Sequence, residues 1–140
     1  MYIADRTNPS VPFPRSYWVL PGRLPAGEYP GSKDPDEATR KIKNLFESGI
    51  RRVINLMEPD ETDIAGAPFR PYENILSDSA GEKDAAFSCL RFPIRDVSIP
   101  SPDTMAKILD SIDEGIEAGN TVYVHCLGGI GRTGGIYAAF

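Results

Sequence analysis

Apolar residues recur along this chain with two periods, and the two kinds of block alternate. Ala38, Ile42, Leu45 and Phe46 share one helical face; Asp34-Pro35-Asp36-Glu37 supplies a helix start and Gly49 a stop. Met105, Ile108, Leu109, Ile112 and Ile116 repeat that spacing over Thr104 to Ala118, behind Ser101 at the N-cap and Pro102 at N1, and Gly119 terminates the run. Between and around these helices lie short β-branched and aromatic runs. Ser16 to Leu20 and the segment up to Gly27 suggest two strands around a turn, and Arg52 to Leu56, Ala86 to Leu90 and Thr121 to Val124 each read as a strand. A short helix is expected within Pro71 to Ser79, and Thr133 to Phe140 reads as the first turns of another. Residues 1 to 16, with Pro9, Pro12 and Pro14, read as an extended arm. Helices alternating with apolar strands predict an α/β layer fold, in one domain over residues 17–140.

Composition narrows the class of partner. Hydrophobic residues make up 41% and charged residues 25%, which suits a globular chain, and the net charge of −5 argues against nucleic acid and anionic membrane surfaces. No apolar run approaches the ~20 residues of a membrane span, and Met1 to Arg6 lacks a signal-peptide core. Two cysteines, Cys89 and Cys126, do not form a disulfide scaffold. With one histidine they form no metal cluster either, so neither a metal nor another cofactor is expected. A reactive thiol needs a reducing compartment, hence a cytoplasmic expectation. Cys89 itself reads as a small core residue on a strand rather than a redox partner of Cys126.

The chemistry concentrates in His125-Cys126-Leu127-Gly128-Gly129-Ile130-Gly131-Arg132-Thr133, between the last strand and the last helix. Glycines let a loop close tightly, and the unpaired N–H groups of a helix start favour an anion there. The same field favours a thiolate on Cys126. Arg132 adds a planar fork matched to two phosphate oxygens, and Thr133 adds a hydroxyl that can donate to sulfur. Three other readings compete. Gly129 to Gly134 fits the G-x-G-x-x-G dinucleotide pattern, but that unit requires a further strand and an acidic residue about 20 positions on, which the six residues after Gly134 do not supply. A Walker A loop requires lysine where Gly135 stands. A purely structural turn leaves the coincidence of cysteine, arginine, threonine and histidine unexplained.

His125-Cys126-x5-Arg132-Thr133 resembles the signature of the cysteine-dependent protein tyrosine phosphatase superfamily. Its size and the position of the motif match the small dual-specificity type. Phe92-Pro93-Ile94-Arg95-Asp96-Val97-Ser98-Ile99-Pro100 is similar to that type's acid loop, above all in the cyclin-dependent-kinase-inhibitor-associated members, which also carry a Gly-Gly pair in the phosphate loop. The resemblance implies the phosphatase α/β fold with a central mixed sheet flanked by helices. It also implies that helices following Arg132 in the family are missing here, so that 17–140 is a C-terminally truncated domain. It assigns Cys126 as nucleophile, Arg132 and the backbone of Leu127, Gly128, Gly129, Ile130 and Gly131 as the phosphate cradle, and Asp96 as proton donor. Thr133 assists thiolate departure, and His125 supports the loop rather than acting as a base. Asp103 is the runner-up acid, but a place in the first turn of a helix accounts for it.

The implied reaction is hydrolysis of phosphotyrosine, and of phosphoserine or phosphothreonine, in a phosphorylated protein through a cysteinyl-phosphate. The alternatives are a catalytically impaired phosphate-binding module, or a phosphatase of an inositol phosphate, a phosphoinositide or an RNA 5′-phosphate. The absence of lysine from the loop weighs against lipid. The acidic run Met57 to Asp63 would lie near the rim of the site and reads as a solvated loop.

Overall fold

A computed structural model describes residues 11–63, 65–82, 86–95 and 98–139. Five strands and four helices follow in the order β1 (Ser16–Leu20), β2 (Leu24–Gly27), α1 (Pro35–Glu47), β3 (Ile50–Asn55), α2 (Glu73–Glu82), β4 (Ser88–Arg91), α3 (Pro102–Glu117), β5 (Thr121–His125) and α4 (Gly131–Ala139). The strands form one mixed sheet in the order β1-β2-β5-β3-β4. β1 and β2 are an antiparallel hairpin, whereas β2–β5, β5–β3 and β3–β4 are parallel. The expected α/β fold with a central mixed sheet and flanking helices is the fold observed.

Local chemistry sets the helix limits. The Asp34 carboxylate accepts from the Asp36 N–H at 3.1 Å, and the Ser101 hydroxyl accepts from the Thr104 N–H at 3.2 Å, each satisfying a donor that the first helical turn leaves open. α3 ends where Gly119 takes φ +84°, a conformation that costs a residue with a Cβ about 1 kcal/mol or more.

Two apolar clusters cover the two sheet faces. Ile42, Leu45 and Phe46 of α1 and Leu76 of α2 pack with Val53 and Tyr123 on one face. Ile108 and Ile112 of α3 and Ile136 of α4 pack with Ile54, Val122 and Val124 on the other. Each large apolar side chain so buried contributes about 1.5–3 kcal/mol against exposure. Strand alternation therefore sends Tyr123 and His125 of β5 to the α1/α2 face, and Val122, Val124 and Cys126 to the α3/α4 face.

The short helix lies at Glu73–Glu82, beginning inside the expected span and running three residues past Ser79, with Tyr72 just before it fully buried. Of the expected arm, residues 1–10 lie outside the described residues. Phe13 is buried edge-on against Tyr123, and Ser16 opens β1.

Candidate active site

β5 is buried from Val122 to His125 and lies between two parallel neighbours, so the chain leaves it from the middle of the sheet. The loop after it, residues 126–130, turns directly into α4, which begins at Gly131 and makes its first helical bond from Gly134 N–H to Ile130 O at 2.9 Å. Arg132 and Thr133 thus stand in the first helical turn, and α4 begins two residues before the expected Thr133, because glycine spacing hides where the loop ends.

Cys126 is 3% exposed, and the Gly129 N–H donates to its Sγ at 3.3 Å. Gly129 has φ +77°, and a Cβ there would lie 2.3 Å from the carbonyl carbon of Gly27, so only glycine fits between the loop and β2. Arg132 is buried yet charged, and its partners are specific. Nη1 and Nη2 donate to Oε2 and Oε1 of Glu61 at 2.9 and 2.8 Å, and Nη1 also donates to the Ile94 carbonyl at 3.0 Å. A two-point pair of this kind fixes the plane of the guanidinium. Thr133 is also buried, and its hydroxyl makes no hydrogen bond among the described residues, to sulfur or otherwise.

His125 points away from Cys126, through the sheet. Its Nδ1 lies 3.1 Å from the Cys126 carbonyl, which only accepts, so Nδ1 carries the ring proton and Nε2 accepts from the Tyr72 hydroxyl. Burial holds the imidazole down at about 3, aided by the cations Arg91, Lys41 and Arg132 and opposed by the bond to the Cys126 carbonyl. With both nitrogens engaged, the neutral ring ties the start of the loop to Tyr72 on the α1/α2 face of the sheet. Tyr72 in turn lies 3.9 Å from Cys89 Sγ, and burial pushes the Cys89 thiol up to about 11.

Glu61 is the residue that pattern reading missed. The run Met57 to Asp63 is only partly solvated: Pro59, Asp60 and Thr62 are exposed, while Met57 is buried and Glu58, Glu61 and Asp63 are half-buried. Asn55 Oδ1 accepts from Met57 N–H at 2.9 Å, Arg91 Nη1 donates to Met57 O at 2.7 Å, and the Glu58 N–H donates to Glu61 Oε2 at 2.6 Å. Lys33 pairs with Asp63 further along. The clue lay in position: residues just beyond the C-terminal ends of parallel strands gather around α/β sites, and this run directly follows β3. Asp96 lies outside the described residues. Among those residues no group of three His, Cys, Asp or Glu could hold a metal ion, and no helix is long and apolar enough to cross a membrane.

A cysteine and an arginine buried together on one strand-loop-helix turn, over a central mixed sheet, define the class of cysteine-dependent phosphatases. The chain belongs within that class to the family described as "Polymorphic toxin system, DSP-PTPase phosphatase", whose sequence model matches residues 27–140. Solved structures of similar fold include Tk-PTP in its active form, at 24% identity over 87% of this chain and 68% of that one, with a TM-score of 0.64. They include kinase associated phosphatase with its catalytic cysteine replaced by serine, at 17% identity over 79% and 59% with a TM-score of 0.63. The core catalytic domain of the PP-IP phosphatase SIW14 from S. cerevisiae, in complex with citrate, gives 19% identity over 91% and 64% with a TM-score of 0.59. At such identities the likeness is one of fold, and this chain spans only 59–68% of the length of those three.

Proposed function

We propose that the chain is a phosphoprotein phosphatase that hydrolyses phosphotyrosine and phosphoserine/threonine esters through a cysteinyl-phosphate, as the phosphatase component of a polymorphic toxin system. The observation that carries this reading is the joint burial of Cys126 and Arg132 on one loop, with a backbone N–H already on sulfur and the guanidinium held flat by Glu61. The sulfur attacks phosphorus as a thiolate, forming S–P while the P–O bond to the leaving group breaks and Asp96 gives that oxygen its proton. Asp96, now a carboxylate, takes a proton from a water whose oxygen attacks phosphorus, and S–P breaks. Arg132 and the amides of Leu127 to Gly131 hold the equatorial oxygens through both steps. Among the described residues the buried Thr133 hydroxyl makes no hydrogen bond, which leaves it available to donate to the departing thiolate. Ile94, two residues before Asp96 in sequence, touches Arg132 through its carbonyl, which supports Asp96 as the acid.

The rim favours a protein or aryl ester over an inositol polyphosphate. Ile130, within the loop, is 79% exposed, and the loop between Cys126 and Arg132 offers no lysine for further phosphates. Hydrolysis of p-nitrophenyl phosphate tests the reading. Cys126→Ser should abolish turnover and Asp96→Ala should lower kcat by roughly 10²–10⁴-fold. Wild type no faster than Cys126→Ser would leave only a phosphate-binding module.

A further inference from the structure

Three carbonyls of the Cys126 loop are tied to the protein body. The Cys126 carbonyl meets His125 Nδ1 at 3.1 Å, the Leu127 carbonyl accepts from the Tyr29 N–H at 3.0 Å, and the Gly129 carbonyl accepts from the Tyr17 hydroxyl at 2.6 Å. In a planar trans peptide the N–H points opposite to the C=O. Each tie therefore turns the following amide, of Leu127, Gly128 or Ile130, away from the body and toward the seat of the anion. The first two ties come from a neighbour in β5 and from backbone just past β2. The third comes from a side chain on β1, which precedes the span 27–140 shared with the family.

The Gly129–Ile130 peptide is the one most in need of such a tie. It lies in a stretch of three glycines and one exposed isoleucine, where side-chain packing does not resist rotation. A rotated peptide would present a carbonyl to the phosphate in place of an N–H, which exchanges attraction for repulsion. We propose that Tyr17 is a positioning residue for phosphate binding and turnover: its hydroxyl latches the Gly129 carbonyl outward, and so holds the Ile130 N–H in the anion cradle. Its ring is fixed edge-on to Tyr137, with centroids 5.8 Å apart, and β1 pairs Tyr17 with Ala26, beside the Gly27 against which Gly129 packs. Burial, with Tyr137 and Cys126 nearby, pushes the phenol up to about 12, so it remains a donor across neutral pH.

The latch rests on the phosphate-binding part of the proposed function, and the test separates the two. Protection of Cys126 from iodoacetamide by inorganic phosphate is compared in wild type and Tyr17→Phe, beside kcat/KM for p-nitrophenyl phosphate and the melting temperature. Phenylalanine keeps the ring packing and removes only the hydroxyl. The phosphate needed for half-protection should rise about tenfold, the size of one hydrogen bond to a charged group, and kcat/KM should fall by a similar factor with little change in melting temperature. A Tyr17 that merely stabilises the fold would lower the melting temperature and leave phosphate protection unchanged. Equal protection in the two proteins overturns the latch. Protection needs no turnover, so a wild type that binds phosphate without hydrolysing any ester counts against the enzyme reading alone. A wild type that phosphate does not protect overturns both.

Discussion

Arg132 has 2% of its side chain exposed, and Glu61 and the Ile94 carbonyl replace part of the hydration its charge has lost. Removing one partner of such a pair leaves the other charge stranded. Glu61→Ala should therefore lower the unfolding free energy in urea by about 3 kcal/mol, the low end of the range for buried pairs because Glu61 keeps 17% exposure. Added phosphate should restore more stability to the variant than to wild type, since the anion then supplies the missing counter-charge. His125 makes the opposite demand, because it is buried neutral. Its folded value of about 3 lies below the ordinary 6.5, so the unfolded chain binds the extra proton between those limits and stability falls as pH drops from 6.5 toward 3. The slope is about 1.4 kcal/mol per pH unit for one group. It should be visible between pH 6.5 and 5, where few carboxylates titrate and this is the one histidine of the chain. Urea midpoints at several pH values check this, and His125→Gln should flatten the curve.

The strand-loop-helix element shows which parts of the site were legible in the sequence. Cys126, Arg132 and Thr133 share one short motif, so spacing alone brings them together, and the alternation along β5 follows from its apolar pattern. Glu61 and Tyr17 are distant in sequence and reach the loop only through sheet order, which apolar periodicity does not encode. The two extra residues of α4 were hidden for a related reason: glycine is compatible with loop and helix alike. The glycines of the loop are not equivalent, however. Gly129→Ala places a methyl into the Gly27 backbone at a positive φ, whereas a Cβ at Gly128 meets nothing within 4 Å. Gly129→Ala should depress the melting temperature and abolish phosphate protection of Cys126, while Gly128→Ala should retain most of both. Differential scanning fluorimetry with and without phosphate distinguishes the two.

At the scale of the whole molecule, the sheet is a partition. Cys89 packs with the α1/α2 cluster and Cys126 belongs to the other. β3 lies between their strands, and Cys89 is level with Tyr123 through their shared partner Val53. Two strand spacings amount to about 10 Å, beyond the ~7 Å that a disulfide spans. Peroxide should therefore oxidise Cys126 without joining it to Cys89. A Cys89–Cys126 disulfide peptide in mass mapping would contradict the partition.

The central position of β5 also governs when the molecule becomes competent. His125 pairs with Gly27 on one side and Asn55 on the other, so the strand bearing the cysteine closes a gap between segments made much earlier. Such distant pairings carry the entropic cost of closing the long loops between them. The anion cradle is therefore complete only when β5 is seated between both neighbours, and a chain opened at that strand carries its thiol without the cradle.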